Sequence, residues 1–186
     1  MTIRLAFAGA SGTGKSTLSL ALAEKLSLPM CPTGSREVAK AMGFDSPYDV
    51  DAAGKRAEFQ ERLLREKIAW ESRRDGFVTD RSYLDNLSYT FMHAKPLAMD
   101  PEFIWRAFDA MAVYTHLVFC PLGAFQDTGD DPARVHDAKY HRTYEDYLVK
   151  LLQGSDILGG PLPPILWLTT GVLEDRILQV ERFVRP

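Results

Sequence analysis

Read as apolar and polar positions, the chain alternates short apolar runs with longer stretches of helical spacing. Residues 3–8 form an apolar run of strand length, interrupted only by Arg4, and read as a buried strand. Leu18, Ala21, Leu22 and Leu26 then share one helical face and predict a helix over 15–26. Residues 28–32 read as a second strand, made short or irregular by Pro29 and Pro32. Ser35 predicts the cap of a short helix carrying Arg36, Glu37, Val38 and Met42, with Gly43 as its stop. Residues 44–53 read as a loop. A long charged helix is expected over 54–74, its apolar positions Phe59, Leu63, Ile68 and Trp70 not forming one clean stripe. Strands are expected at 77–79, 115–120 and 165–168. Helices are expected at 83–94, 102–113, 134–153 and 172–183, with loops at 96–101 and 121–132.

Strands separated by helices throughout imply an α/β fold: a five-stranded parallel sheet with helices on both faces, in one domain spanning 1–186. Such sheets bind ligands at the carboxyl ends of their strands. That rule brings residues 9–16, 33–37, 80–82 and the loop after Cys120 around one crevice.

The first of these segments is the most specific. Gly9, Ala10, Ser11, Gly12, Thr13, Gly14, Lys15 and Ser16 fit G-x-x-x-x-G-K-[ST] without a mismatch, between the first strand and the first helix. Glycines let the loop turn its N–H groups inward around a phosphate, and the helix that follows adds its positive end. Lys15 is placed to reach β- and γ-phosphates, and Ser16 to ligate Mg²⁺. Thr17 completes the nucleotide-binding segment. A dinucleotide-binding loop has a different fingerprint and does not require Lys-Ser.

Composition adds exclusions. The 186 residues are 46% hydrophobic, enough for a real core, and the net charge of −3 gives no general argument for a nucleic-acid or membrane surface. The two cysteines, Cys31 and Cys120, lie in apolar segments and read as buried thiols of a reducing, cytoplasmic compartment. No C-x-x-C or H-x-x-x-H pair occurs, no signal peptide is visible, and no run approaches the ~20 apolar residues that span a bilayer.

Other candidates follow from position. Asp80 ends the 77–79 strand, where an acid binds Mg²⁺ or holds an acceptor; it also suits a helix cap. Arg81 beside it reads as a clamp on an anionic acceptor group, or as a salt bridge to Asp80 or Asp85. Glu37 and Asp80 are the two carboxylates able to serve as general base. Arg36 joins Glu37, Asp80 and Arg81 as a substrate-binding candidate. Asp45, Asp49 and Asp51 are weaker ones. The Gly/Asp-rich segment and the helix after it, about 122–142, read as a lid whose Arg134 or Arg142 brings positive charge to the γ-phosphate. His136 and His141 flank that helix. Lys55, Arg56, Arg62, Arg73 and Arg74, interleaved with glutamates, read as a solvated face with i,i+4 pairs or, alternatively, as a track for DNA phosphates.

At this point the chain resembles the P-loop kinases of nucleosides and nucleotides, and more narrowly the small ATPase-like kinases related to the nicotinamide riboside kinase domain. The matching pieces are 9–17, Ser35-Arg36-Glu37-Val38, Thr79-Asp80-Arg81-Ser82 followed by Leu84-Asp85 and Tyr89, and the segment 130–142. The resemblance implies a P-loop kinase fold with a lid, ATP and Mg²⁺ as cofactors, and transfer of the γ-phosphoryl group to a nucleoside, nucleotide or related acceptor. Some relatives act on hydroxymethylated bases in DNA, so a polynucleotide kinase is the alternative. Asp-Arg-Ser is similar to the acidic-Arg-Ser of deoxynucleoside kinases. Ser82 stands where thymidylate kinases carry an aromatic residue, which counts against a thymidylate acceptor. A third reading is a non-kinase NTPase; a guanine-reading Asn-Lys-x-Asp is absent, and a motor needs a further helical domain. A monomer or homodimer without membrane contact is expected.

Overall fold

The sheet forms where an apolar run is buried on both faces. The computed structural model describes residues 2–123, 137–154 and 162–185. In it β1 (Arg4–Ala8) is an interior strand with Leu5, Ala6, Phe7 and Ala8 fully buried. It pairs in parallel with β2 (Phe77–Thr79) on one side and β3 (His116–Phe119) on the other, and β4 (Ile165–Trp167) pairs with β3. The order is β2–β1–β3–β4. Leu5 stands between Val78 and His116, and Phe119 lies opposite Trp167.

Parallel pairing requires crossovers, and helices supply them. They are α1 (Lys15–Lys25), α2 (Ser35–Ala41), α3 (Pro47–Ala52), α4 (Arg56–Glu71), α5 (Tyr83–His93), α6 (Lys95–Ala98), α7 (Pro101–Ala110), α8 (Ala138–Gln153) and α9 (Leu173–Val184). Alternation along β1 assigns them to faces. Leu5 and Phe7, with Val78 and Val118, pack on Leu18 and Leu22 of α1 and Val180 and Val184 of α9. Ala6 and Ala8, with Phe77, Leu117 and Phe119, pack on Leu64 of α4, Leu84 and Leu87 of α5, Phe103 of α7 and Leu148 of α8. Among the described residues no helix is long and apolar enough to cross a membrane.

Three expectations change. The strand expected at 28–32 is a single bridge, Met30 to Val78, so the described sheet has four strands rather than five. Val78 N donates to Pro29 O at 2.9 Å and Cys31 N to Val78 O at 2.8 Å. Pro29 and Pro32 have no N–H with which to extend the ladder. The loop expected at 44–53 contains α3, started by a capping box in which Ser46 N donates to Asp49 Oδ2 at 2.9 Å and Asp49 N to Ser46 Oγ at 3.4 Å. The loop expected at 96–101 begins inside α6. Of the expected lid, 124–136 lies outside the described residues, and Arg134 and His136 with it.

One buried carboxylate joins the elements behind the crevice. Asp85, fully buried in the first turn of α5, caps its own helix: its Oδ2 accepts from Ser82 N at 3.0 Å and Ser82 Oγ at 2.7 Å. Its Oδ1 accepts from Tyr144 Oη of α8 at 2.6 Å, Arg81 Nη1 at 3.2 Å and Gly9 N at 3.3 Å. Burial, then the nearby Asp85 charge, holds the Tyr144 phenol well above its ordinary range, so it stays a donor.

Replacing Asp85 with Ala strands the Tyr144 hydroxyl, the Gly9 N–H and the Arg81 charge together. Asp85→Ala is expected to lower stability by roughly 3 kcal/mol, read as a fall in the urea midpoint at unchanged slope. Gly9 has φ +142°, and a Cβ there would lie 2.3 Å from Cys120 O. Gly9→Ala is expected to cost at least about 2 kcal/mol in the same measurement.

Candidate active site

The loop between β1 and α1 folds as its sequence requires. Gly12 and Gly14 sit at φ +80° and +75°, and no side chain caps the start of α1. The first-turn N–H groups are left for an anion, reinforced by the helix dipole. Thr13 Oγ1 donates to Ala10 O at 2.9 Å and stiffens the turn. Behind it, Arg176 of α9 is almost fully buried; its Nη1 donates to Thr13 O at 2.7 Å and its Nε to Thr170 O at 2.6 Å. Sequence reading did not single out Arg176.

Lys15 is 4% exposed and folded onto its own loop, donating to Ala10 O and, at 3.1 Å, to Thr13 Oγ1. Burial, followed by the Arg81 charge, lowers its pKa to about 8, against the opposing pull of Asp80 and Asp85. An ammonium this poorly compensated is prepared for an anionic partner.

Ser16 Oγ donates to Asp80 Oδ2 at 2.7 Å, bringing together the two residues expected to hold Mg²⁺. Asp80 Oδ1 is buried and, among the described residues, has no hydrogen-bond partner. A hydroxyl and a carboxylate at the phosphate loop, all hard oxygen donors, fit Mg²⁺, which takes few protein ligands and completes its shell with water and phosphate oxygens.

From here a cleft of about 570 Å³ runs outward from the phosphate loop past Asp80 to α2, α3, α4 and α5. Arg36 and Glu37 line it and are exposed, with Glu37 Oε2 folded over Gly34. Arg81 also lines it, but its guanidinium faces the phosphate loop. Its Nη2 donates to Ser11 Oγ at 3.3 Å and its Nη1 to Gly9 O at 3.4 Å, between the rings of Tyr89 and Tyr144. The salt bridge weighed for it exists, to Asp85. Arg142 is exposed and outside the cleft lining, whereas Tyr140 and His141 of the same turn line it. Asp49 and Asp51 serve locally: Asp49 caps α3, and Asp51 pairs with Arg56.

The outer cleft holds polar residues that sequence reading passed over. Gln60, Lys67 and Glu71 of α4 are buried on one stripe. Lys67 donates to Glu71 Oε1 and Thr79 Oγ1 and lies over the Tyr83 ring. Asn86 of α5 donates to Gln60 Oε1 at 2.6 Å. Their spacing marks one inward stripe of α4, but polar residues on such a stripe read as solvated. Of the residues weighed as a DNA track, Lys55 pairs with Glu58, Arg56 with Asp51 and Arg62 with Glu66, and Arg74 stacks 3.8 Å over Trp70.

Residues 4–161 match the family model described as an AAA domain. No curated protein matches the sequence. Among solved structures, deoxyadenosine kinase from M. mycoides with dCMP and dCDP bound is similar over 98% of both chains, at 14% identity and TM-score 0.67. Shikimate kinase from Acinetobacter baumannii in complex with shikimate is similar over 99% of this chain and 93% of its own, at 14% identity and TM-score 0.62. The NadR protein in complex with NAD and AMP-PNP covers 98% of this chain with 49% of its own length, at 14% identity and TM-score 0.69. The expected likeness to P-loop kinases, the NadR protein among them, therefore holds at the level of the fold. With the family match running from β1 through α8, the chain belongs to this AAA domain family and carries the α/β fold of the P-loop kinases.

Proposed function

We propose that this protein is an ATP- and Mg²⁺-dependent kinase that transfers the γ-phosphoryl group to a small nucleoside- or nucleotide-type acceptor. The observation that carries the reading is the continuity of the cleft. The cleft that begins at the phosphate loop, its lysine and the Ser16–Asp80 pair continues without a break between side chains of α2, α3, α4 and α5, where an acceptor would lie. An NTPase that only hydrolyses needs no such continuation. The solved structures of similar fold point the same way, each being titled a kinase or holding a nucleotide analogue.

In this mechanism ATP lies along 9–17. Lys15 exchanges Ala10 O for β- and γ-phosphate oxygens, and Arg81 faces the same phosphates from the Ser11 side. Ser16 and Asp80 would hold Mg²⁺, which would supply neutralisation of the phosphate charge. Asp80 is the favoured acceptor of the substrate's hydroxyl proton, because it stands beside the phosphate loop, whereas Glu37 is exposed at the mouth of the cleft. Arg134, which lies outside the described residues, is assigned with Lys15 the balancing of charge on the transferring group, whereas Arg142, exposed and outside the cleft lining, is not.

Transfer of labelled γ-phosphate from ATP to a panel of nucleosides, nucleoside monophosphates and DNA tests the reading directly. Label on an acceptor is expected; release of free phosphate alone, with every acceptor unlabelled, would replace the kinase by an NTPase. Lys15→Ala is expected to abolish transfer while leaving the melting temperature near that of the wild type. Asp80→Asn is expected to lower kcat by about 10²-fold or more, and Glu37→Gln by less than about tenfold. The reverse ranking would move the base to Glu37.

The Lys15 shift has a further consequence. Phosphates stabilise the ammonium, so the pKa of Lys15 rises above about 8 when nucleotide binds. Binding near pH 8.5 therefore takes up protons, and affinity falls as pH rises through that range. Calorimetry in buffers of different ionisation enthalpy is expected to show this uptake, and Lys15→Met to remove it.

A further inference from the structure

Asp85 Oδ1 has more donors than it can serve. A carboxylate oxygen offers about two lone pairs. Three donors converge on this one: Tyr144 Oη at 2.6 Å, Arg81 Nη1 at 3.2 Å and Gly9 N at 3.3 Å. Tyr144 takes the short contact, at the length of a full O–H···O⁻ bond, and the other two are left long. Arg81 is no better served elsewhere. Its Nη1 also reaches Tyr144 Oη at 3.3 Å and Gly9 O at 3.4 Å, and its Nη2 reaches Ser11 Oγ at 3.3 Å. A guanidinium bonded at full strength to a carboxylate or phosphate sits at about 2.7–2.9 Å, and none of these contacts is that short. The cation is instead stacked between the rings of Tyr89, at 5.2 Å, and Tyr144, at 6.0 Å. Its charge is close enough to Lys15 to help lower the lysine's pKa.

Tyr144 is buried, and burial together with Asp85 keeps its phenol protonated. Its one proton goes to Asp85, so toward Arg81 its oxygen can only accept. Without the hydroxyl, Asp85 Oδ1 regains a lone pair, and Arg81, already 3.2 Å away, closes onto it as a full ion pair. The guanidinium then withdraws from Ser11 and the phosphate loop. We infer that Tyr144 is a positioning residue for Arg81: by occupying Asp85 Oδ1 it keeps the Arg81–Asp85 pair long and leaves the guanidinium available to nucleotide phosphates. The inference rests on the proposed placement of phosphates between Lys15 and Arg81, and not on which group accepts the phosphoryl.

A double-mutant cycle separates this role from a merely structural one. Binding of AMP-PNP with Mg²⁺ is measured by calorimetry for the wild type, Tyr144→Phe, Arg81→Met and the double variant, with folding checked by the melting temperature. Tyr144→Phe is expected to weaken binding about tenfold, and Arg81→Met by at least as much. In the Arg81→Met background, Tyr144→Phe is expected to cost less than about twofold more, because no guanidinium remains to be misplaced. With ATP and an acceptor, Tyr144→Phe is expected to raise the KM for ATP and leave the acceptor KM unchanged. An equal loss in both backgrounds, or binding by Tyr144→Phe within about twofold of the wild type, overturns the inference. Should that variant fail to fold, NMR of the wild type carries the test. The Tyr144 hydroxyl proton is expected as a slowly exchanging downfield resonance that persists when AMP-PNP binds, while the Arg81 guanidinium resonances shift. Absence of the hydroxyl resonance, its loss on nucleotide binding, or guanidinium resonances that do not respond would overturn the inference equally. Non-additive binding losses with phosphate released and no acceptor labelled would sustain it and remove the kinase reading instead. A labelled acceptor with additive losses would do the opposite.

Discussion

The structure depends on how the Asp85 carboxylate is shared. Oδ2 serves only its own helix, capping α5 through Ser82, as the Ser-x-x-Asp spacing prescribes. Oδ1 serves everything else, receiving Gly9 from the phosphate loop, Arg81 from the end of β2 and Tyr144 from α8. A local capping device is thereby converted into the point where three distant segments meet. Because the charge is fully buried, each of these donors offsets its desolvation, and the arrangement tolerates little displacement. The phosphate loop is thus held from behind through Gly9 N.

Arg176 performs the matching service from the other face of the sheet. It grips Thr13 O and Thr170 O, so α9 and the turn after β4 are tied to the same loop. Between Asp85 and Arg176 the loop is fixed by one charge of each sign, and neither is supplied by the motif itself. The short strands fit this picture: among the described residues none exceeds the five residues of β1, and their ends, more than their length, determine where ligands sit.

This division explains what was legible in the sequence. The phosphate loop was readable residue by residue, because its work is done by backbone and by a fixed spacing of glycines, Lys15 and Ser16. β1 and β3 were readable because burial on both faces demands an unbroken apolar run. Residues 28–32 looked like a strand by hydropathy, but hydrogen-bond supply decided otherwise, since prolines flank the one bridge at Met30. α3 was missed although its capping box stood in plain view at Ser46 and Asp49; its helix is short and its apolar content is mostly Val50. α4 misled in the opposite direction. Gln60, Leu64, Lys67 and Glu71 are four, three and four residues apart, a helical stripe that hydropathy splits because most of its members are polar. The direction Arg81 faces was not legible, because its partners Gly9, Ser11 and Tyr144 come from elements remote in sequence.

The stripe on α4 bears on why the outer cleft is built as it is. A buried Lys67–Glu71 pair, i and i+4 within α4, does little to hold α4 on its neighbours, since its desolvation consumes most of its attraction. It also presses Glu71 against the Tyr83 and Tyr114 phenols, which burial and that carboxylate hold protonated. A purely apolar seam would pack α4 on α5 at less cost. The polar seam instead places defined donors and acceptors along a cleft whose inner half is shaped by the backbone of residues 9–16. The inner end is shaped largely by the backbone of residues 9–16, and the outer end by side chains such as Gln60, Lys67 and Asn86. The outer side chains of α4 can therefore vary without disturbing the loop that Asp85 and Arg176 hold in place.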